Sequence, residues 1–337
     1  MTARELNRAL LARQLLLERA KVPVPRAVER LGGIQNQYAP NGYIRLWSCL
    51  QGFERDVLTR ALERRSVVQA TLMRGTIHIV SAADFWLFAA GIRRAYRRWW
   101  DRVHKDEAKR ADSAIAAVEK ALRGRTCTLD ELNDLYRKTG LRGAAPGPEL
   151  VRVPPAGTWE KRRAHAFALA EDWLGPCTAT EDEGLEHLVR RYLGAFGPAT
   201  RNEIASWSGM PVTWLADTLD RMPLRRLRNE EGKELLDLPR AALPNADTAA
   251  PVRFLPTWDA ALLVHARSAG VLPERYRSLI FDNKAPQSFP VFLVEGAVAG
   301  TWRFEDGSVR VEPFERLAPS ARREVEDEAE RLAAFHS

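Results

Sequence analysis

Hydrophobic residues near the N-terminus recur every three or four positions, as they do on amphipathic helices. They predict helices over 5–20, about 25–36 and about 54–65. The pattern then changes to alternation on both sides of Met73-Arg74-Gly75, which predicts a β-hairpin with its turn there. Helices followed by a two-stranded hairpin are typical of a winged helix, so residues 1–82 are expected to form one.

The same order of elements is expected twice more along the chain. Thr128 with Glu131 three residues later has the pattern of a capping box at a helix start, and the strand-like segment ELVRV follows. Residues 83–180 are therefore expected to form a second winged helix with a long wing. Two short helices, followed by the hairpin segments LRRLRN and ELLDL, predict a third winged helix over 181–244.

The C-terminal part of the chain has a different pattern. Its segments VRFLPTW, SLIFD, FPVFLVEG, AVAGTWRFEDG and SVRVEPF are typical of short strands joined by turns, and a charged helix over 318–335 follows. Residues 245–337 are therefore expected to form a β-barrel-like domain. The predicted fold class is α+β, mainly α-helical with β-hairpin wings, built from three tandem winged-helix units and this barrel.

The composition is that of an ordinary globular protein, with 45% hydrophobic and 28% charged residues. No segment approaches the roughly 20 apolar residues that span a bilayer, so no membrane partner is expected. Cys49, Cys127 and Cys177 are widely separated, which predicts neither a disulfide framework nor a zinc site. The six histidines are dispersed, so we expect no bound metal, and we expect a cytoplasmic protein.

The net charge of +7 is unevenly distributed along the chain. Residues 1–180 contain 31 Lys and Arg against 19 Asp and Glu, whereas residues 181–337 contain 20 against 25. A basic half beside a mildly acidic half suggests a polyanionic partner, of which nucleic acid is the commonest. A genome of high G+C content would explain the number of arginines, but not this asymmetry.

The segment GGIQNQYAP (32–40) lies at the end of the second predicted helix, where a winged helix would meet DNA. Gln35 and Gln37 would diverge if both were helical, so an irregular turn is needed to bring their amides together. From spacing alone, the alternative is that they are two surface glutamines without a function.

Several segments together resemble the AlkZ-type bacterial DNA glycosylases. They are IQNQYAP, LMRGTIHIVSAADFW, VPPAGTWEKRR, AFGPATRNEIASWSG, FLPTWDAALL and GTWRFEDG, in this order over nearly the whole chain. The resemblance implies three tandem winged helices and a C-terminal β-barrel around duplex DNA. It also implies a catalytic Gln-x-Gln pair, matched by Gln35 and Gln37, that excises N7- or N3-alkylpurines and some interstrand crosslinks. The middle position is usually apolar in that family, and here it is Asn36.

Two glutamines suit only a leaving group that is already activated. Alkylation at N7 or N3 makes a purine cationic, so the base can depart without a proton from the enzyme. An amide has no pKa near neutrality and cannot act as a general base, but two amides can hold a water beneath C1′. Their carbonyls can also face the developing oxocarbenium charge. We therefore expect hydrolysis without a cofactor and, because no lysine lies beside the pair in the sequence, no lyase activity.

Further residues are assigned to DNA contact or to support of the glutamine pair. Arginines at a turn, on a helix or beside the VPPAG segment suit phosphate binding, and solvated positions or packing are the alternatives. His78 shares a strand face with Thr76, and a half-buried structural histidine is the alternative to a phosphate contact. The predicted DNA contacts are Arg74, His78, Arg94, Arg98, Arg152 and Arg162. The predicted supporting residues are Asn36, Tyr38, Thr76 and Asp259.

Three hypotheses about function follow from these patterns. The first is a monomeric, monofunctional glycosylase that acts at the nucleoid on alkylated double-stranded DNA in base excision repair. The second is a winged-helix transcription regulator, against which stand three winged units in one chain, no obvious dimerisation helix and the glutamine pair. The third is a member of the same family that binds DNA without catalysis.

Overall fold

The chain folds into α-helices joined to small antiparallel sheets. The computed structural model describes residues 1–141, 149–163, 165–282 and 287–337. Its α-helices are α1 (Ala3–Arg13), α2 (Val24–Arg30), α3 (Pro40–Cys49), α4 (Arg55–Glu63), α5 (Ala82–Val103), α6 (Ala111–Leu122), α7 (Leu129–Lys138), α8 (Ala170–Leu174), α9 (Glu181–Phe196), α10 (Arg201–Ser208), α11 (Val212–Arg221), α12 (Arg277–Ile280) and α13 (Pro319–His336). Its β-strands are β1 (Ile34–Gln35), β2 (Val67–Thr71), β3 (Ile77–Ser81), β4 (Cys127–Thr128), β5 (Leu150–Arg152), β6 (Ala166–Leu169), β7 (Arg225–Arg228), β8 (Glu234–Asp237), β9 (Arg253–Leu255), β10 (Phe281–Asp282), β11 (Gln287–Ser288), β12 (Val291–Val294), β13 (Ala297–Glu305) and β14 (Ser308–Pro313).

Helices α1, α7, α9 and α10 begin with the same local interaction, a capping box. In each, a threonine hydroxyl accepts a hydrogen bond from the backbone of a glutamate three residues on, and the glutamate side chain accepts one from the threonine backbone. Two backbone N–H groups that the helix cannot pair are satisfied in this way. The box predicted at Thr128 and Glu131 is confirmed.

The first two helices are shorter than their hydrophobic patterns predict. Helix α1 ends at Arg13, and Leu15 has a left-handed backbone that turns the chain away. Helix α2 ends at Arg30, and Gly32 and Gly33 follow with φ of 71° and 86°, a conformation that glycine adopts without strain. The prediction that this helix reaches residue 36 is therefore wrong, because the glycines divert the chain into strand β1.

Sequence analysis missed helix α3. It begins with Pro40 in its first turn, where proline is tolerated because the first N–H groups have no partner within the helix. Glycine and proline are typical of turns, so their presence at the start of α3 favoured a loop in the sequence pattern. The buried residues Tyr43, Ile44 and Leu46 nevertheless belong to a helix. Helix α3 closes one side of the segment that contains Gln35 and Gln37.

A six-stranded antiparallel sheet joins the first two predicted winged-helix units. Its strand order is β1-β3-β2-β5-β6-β4. The predicted hairpin around Met73-Arg74-Gly75 is confirmed as β2 and β3, and β2 continues the sheet into the second unit through the pairing of Gln69 with Arg152. The sheet thus crosses the boundary predicted at residue 82.

The third group of helices carries its own hairpin, as the sequence predicts. Helices α9, α10 and α11 are followed by β7 and β8, which pair from Arg225 with Asp237 to Arg228 with Glu234. Asp237 is fully buried and accepts hydrogen bonds from Arg13 at 2.7 and 3.0 Å. The hairpin is thereby fixed to helix α1 at the start of the chain.

The predicted C-terminal β-barrel is wrong for the described residues, which form an open sheet. The strand order is β14-β13-β12-β9, with no pairing between the outer strands β14 and β9. Part of the segment predicted as the strand SLIFD is helix α12 instead, so it adds no long strand. Four strands are too few to close around a filled interior, and helix α13 packs against the sheet instead.

The N-terminal helices and the C-terminal sheet share one hydrophobic core. One buried cluster contains Leu31, which follows α2, and Tyr43 of α3. The same cluster contains Phe254 of β9, Phe292 of β12 and Leu332 of α13. Burial of such side chains is the main source of stability in globular proteins. Within the four described ranges, none of the helices has an apolar stretch of the length that spanning a bilayer requires.

Helices α5 and α9 touch each other backbone to backbone. A Cβ atom added to Gly184 of α9 would lie 2.3 Å from the backbone nitrogen of Gly91 in α5 and 2.7 Å from the carbonyl oxygen of Leu87. Real Cβ atoms do not approach backbone this closely, so any larger residue would push the helices apart. The two glycines therefore set the distance between the second and third predicted units.

We expect Gly184→Ala to lower the free energy of unfolding by roughly 1–3 kcal/mol, because the methyl group forces a shift in a close-packed interface. Gly194→Ala is the matched control in the same helix, since its Cβ would meet only Leu238 at 3.8 Å. That change should be neutral or stabilise by up to about 1 kcal/mol. Thermal and urea unfolding measure both, and equal midpoints for the two variants would contradict the proposed contact.

Candidate active site

Gln35 lies in strand β1, Gln37 lies in the bend that follows it, and neither is at a helix end. Gln35 pairs with His78 across β1 and β3, and the backbone nitrogen of Asn36 donates to the carbonyl oxygen of Ile77 at 2.7 Å. The strand and the bend after it direct both glutamine side chains to the same hairpin, where Gln35 bonds to Arg74 and Gln37 to Ile77. The predicted position at the end of the second helix is therefore wrong, because α2 ends at Arg30.

The same hairpin holds both glutamine side chains. The Oε1 of Gln35 accepts a hydrogen bond from Nη2 of Arg74 at 2.6 Å, and the Oε1 of Gln37 accepts one from the backbone nitrogen of Ile77 at 2.8 Å. The backbone of Ile77 thus bonds to this segment twice, since its carbonyl oxygen also accepts from the backbone nitrogen of Asn36. Gln35 is buried with 8% exposure, whereas Gln37 is exposed. The Gln35 side chain thus lies in the protein interior, and the Gln37 side chain lies at the surface.

Asn36, the polar middle residue, is buried and fully engaged. Its Nδ2 donates to Oε1 of Gln69 at 3.1 Å, and its Oδ1 accepts from the backbone nitrogen of Gly42 at 2.8 Å. Gln69 in turn donates to the carbonyl oxygen of Gly157 at 2.9 Å. A buried amide is tolerated when both of its ends are paired, as here. Asn36 therefore connects the glutamine segment to α3, to β2 and to the loop at Gly157.

Arg74 is directed at the glutamine pair. Its backbone is left-handed with φ of 58°, and its guanidinium donates to Gln35 and to the carbonyl oxygen of Trp207. Burial lowers the pKa of Arg74 to about 10, so the group stays protonated at neutral pH. The turn that the sequence assigned to DNA contact thus holds a cation against Gln35. DNA contact by the same side chain stays a prediction.

His78 lies in the protein interior, with only 2% exposure. Its Nδ1 is 2.9 Å from the carbonyl oxygen of Thr76, an arrangement in which a ring N–H donates. Burial, with the nearby Arg74 charge, lowers the pKa of His78 to about 3, so the ring is neutral. This position does not support the phosphate contact predicted for His78. Thr76 closes the turn by donating from its hydroxyl to the carbonyl oxygen of Met73 at 3.1 Å.

Asp259 forms a buried ion pair behind Gln35. Its Oδ2 is 2.9 Å from Nε of Arg45, and both side chains are at most 3% exposed. Arg45 also donates to the side chain of Gln14 at 2.8 Å. Gln14, Gln35, Arg45 and Asp259 line one small cavity. Sequence analysis named Asp259 but missed Arg45 and Gln14, because their polar partners lie far away in the sequence.

Tyr38 and Arg162 meet at the exposed side of the pair. Tyr38 is 46% exposed, and Nη1 of Arg162 lies 3.5 Å from its hydroxyl oxygen. Arg162 also donates to the carbonyl oxygen of Trp159 at 2.8 Å, and its guanidinium lies 4.7 Å from the centre of the Trp159 ring. The structure therefore brings the predicted contact Arg162 next to the residue that follows Gln37.

The other predicted arginines occupy two separate places. Arg94 and Arg98 of α5 lie over Trp214, at 5.2 and 4.7 Å from its ring centre, and Arg98 borders a cleft that Arg74 also lines. Arg152 lies over Phe167 at 4.9 Å, and burial lowers its pKa. The structure thus groups Arg74 with Arg98 and leaves Arg152 in the neighbouring sheet.

Within the parts of the chain that the structure describes, no group of three or more His, Cys, Asp or Glu side chains could hold a metal ion. The hydrogen-bond partners of Gln35 and Gln37 there include no carboxylate. The candidate site therefore presents two neutral amides, with Arg74 bonded to Gln35 and the buried Arg45–Asp259 ion pair beside it.

Comparisons with known proteins agree on one family. A sequence profile described as "DNA glycosylase AlkZ-like" matches residues 28–335. A curated protein named "Interstrand DNA cross-link repair glycosylase", from Streptomyces sahachiroi, is 25% identical over 358 residues, covering 95% of this chain and 93% of its own length. The solved structure of Streptomyces sahachiroi DNA glycosylase AlkZ superposes with a TM-score of 0.81 at 23% identity, over 100% of this chain and 97% of that one.

The lowered pKa of His78 predicts that acid destabilises the fold. An unfolded histidine takes up a proton below about pH 6.5, whereas folded His78 does so only near pH 3. The unfolded state therefore binds more protons in this window, and stability falls as the pH falls through it. We expect His78→Asn to make the unfolding free energy between pH 6.5 and 4.5 less dependent on pH, by up to about 1.4 kcal/mol per pH unit.

Urea unfolding at a series of pH values measures this slope. His165→Asn is the comparison, because desolvation and the Arg152 charge lower the pKa of the exposed His165 less than burial lowers that of His78, so its effect on the slope should be smaller. An unchanged slope in His78→Asn would show that other groups are responsible for the acid sensitivity.

Proposed function

The chain belongs to the AlkZ-like DNA glycosylase family, and on that premise we propose that it hydrolyses the N-glycosidic bond of cationic alkylated purines in double-stranded DNA. The observation that supports this most directly is the arrangement of Gln35 and Gln37, whose amide oxygens are both held by one hairpin. The proposed substrates are N7 and N3 adducts, including bulky adducts and interstrand crosslinks. The named activity of the Streptomyces relative motivates the inclusion of crosslinks.

The proposed role of the pair is to orient a water molecule. Each amide oxygen has two lone pairs, and Arg74 or the Ile77 backbone uses one of them in each case. The remaining lone pairs can accept the two protons of one water, which leaves the water oxygen free to attack C1′. The C–N bond then breaks, its electron pair neutralises the cationic base, and the water proton passes to solvent.

Charge explains why such a site needs no general acid. A cationic purine leaves as a neutral base, so no proton has to be delivered to it. The Arg74 guanidinium makes the Gln35 oxygen a still weaker base, so the pair acts by position and not by proton abstraction. Neutral lesions such as uracil are therefore expected to be poor substrates.

The fold supports a proposed organisation into three winged helices over 1–82, 83–180 and 181–244, followed by the C-terminal unit 245–337. The hairpins β2–β3, β5–β6 and β7–β8 are antiparallel and follow helices in each case. Hairpins of this kind reach DNA grooves in other winged helices. We propose that the protein works as a monomer on the nucleoid, with Arg94, Arg98, Arg152 and Arg162 near the phosphates.

Removal of either amide is expected to abolish most of the activity. Gln35→Ala and Gln37→Ala should each reduce release of 7-methylguanine from duplex DNA by about 100-fold or more, because the attacking water loses one of its two acceptors. Gln51→Ala is the control, since Gln51 is exposed and lies outside the site. Release assays at saturating enzyme measure the rate of the chemical step.

Undiminished release by both variants would remove the pair from the mechanism. If the wild-type protein released no cationic adduct and instead protected one DNA sequence from cleavage, the transcription-regulator hypothesis would take its place.

We also expect no covalent intermediate with DNA. A lyase needs a lysine amine at C1′, and the lysine to examine is Lys161, which precedes Arg162 in the loop that reaches Tyr38. Borohydride should trap no protein–DNA adduct during base release, and Lys161→Ala should leave the release rate within about twofold. A trapped adduct that disappears in Lys161→Ala would overturn the monofunctional assignment.

A further inference from the structure

A cleft of about 860 Å³ opens beside the candidate site, between helix α5 and the turn that joins α10 to α11. Arg74 and Gly75 of the hairpin turn line it. Its walls include Arg98 and Arg102 with the rings of Tyr96, Trp99 and Trp214. The volume lies in the range of pockets that take a ligand of small-molecule size.

The two arginines that α5 contributes to the cleft, Arg98 and Arg102, differ from its other arginines in their ion pairs within the described residues. Arg93, Arg94 and Arg97 each form an ion pair with a carboxylate. Arg98 and Arg102 form none among the described residues, and no residue that lines the cleft is acidic. Positive charge that the protein leaves unneutralised in a concave surface attracts an anion.

The aromatic rings of the cleft present flat faces for stacking. Tyr96 and Trp99 are stacked on each other, with ring centres 5.7 Å apart and planes at 15°. Trp99 is 46% exposed, which is unusual for a side chain of its size. Trp214 lies across from them with the Arg98 guanidinium 4.7 Å from its centre. Exposed aromatic faces interleaved with arginines are typical of surfaces that bind unpaired nucleotides.

The cleft is also connected to the glutamine pair. Arg74 lines the cleft and donates to Gln35. Gly75 lies at the edge of the cleft, two residues before Ile77, whose backbone holds Gln37. A ligand in the cleft would therefore lie against the hairpin that positions both amides.

We propose that this cleft binds one unpaired nucleotide of the DNA, with its base stacked on Trp99 and its phosphate bound by Arg98 and Arg102. The proposal rests on the proposed function, because it takes DNA as the substrate. A nucleotide joins one planar aromatic ring to one phosphate. This suits a cleft in which the ring of Trp99 lies beside Arg98 and Arg102. Its occupancy of the cleft lets the enzyme favour positions where base pairing is already broken.

The test compares two labelled duplexes without a lesion, identical except for one extra unpaired thymidine. We expect the wild-type protein to bind the bulged duplex about tenfold more tightly in fluorescence anisotropy at fixed salt. Trp99→Ala, and the double change Arg98→Gln with Arg102→Gln, should each remove this preference. Trp99→Ala should retain affinity for the paired duplex within a few fold, whereas the arginine double change, which includes the proposed phosphate contact Arg98, is judged by the ratio of its two affinities.

Matched controls separate the cleft from general effects of ring or charge loss. Phe289→Ala removes an equally exposed ring far along the sequence, and Arg322→Gln with Arg323→Gln removes two exposed arginines from α13. Both controls should keep the preference for the bulged duplex.

Equal wild-type affinities for the two duplexes would overturn the proposal, as would a preference that survives both cleft variants. The release of 7-methylguanine by the wild-type protein is measured in parallel. Release without a preference for the bulge refutes the cleft and leaves the proposed function standing, whereas a preference without release refutes the function and leaves the cleft.

Discussion

The pairing of β1 with β3 is the contact on which the candidate site depends. It places a two-residue strand against a hairpin whose turn supplies Arg74 and whose backbone supplies the Ile77 nitrogen. If β1 were helical, Gln35 and Gln37 would point in different directions. Gly32 and Gly33 make the strand possible, because they end α2 in a backbone conformation that other residues rarely adopt. The site is therefore a product of helix termination as much as of side-chain chemistry.

Hydrophobic periodicity predicted much of the fold because most helices and strands bury one face. The hairpin β2–β3, the third group of helices with β7–β8, and the final helix α13 were found in this way. Helix α3 was missed, since Pro40 and Gly42 in its first turn look like a loop when packing is unknown. The barrel was wrong because strand-like segments do not reveal how many strands pair or whether the sheet closes.

The candidate site was predictable only in part. Resemblance to a family identified Gln35 and Gln37, but nothing in their spacing indicated a strand. Arg74 was selected as a surface cation, and its contact with Gln35 depends on a left-handed turn that a sequence pattern does not specify. Arg45 was missed altogether because its acidic partner, Asp259, lies more than 200 residues away. Long-range ion pairs between single residues leave no local trace in a sequence.

Direct contact between Gly91 and Gly184 limits the relative movement of helices α5 and α9. Helix α5 carries Arg98, Arg102 and the rings of Tyr96 and Trp99 that line the cleft, and at Gly91 its backbone lies directly against that of α9. Shear motions in proteins are small sliding movements of packed helices, and a close backbone contact leaves little space for them. The cleft on α5 is therefore anchored to the third group of helices at one glycine contact, so a ligand would meet a wall that is already in place.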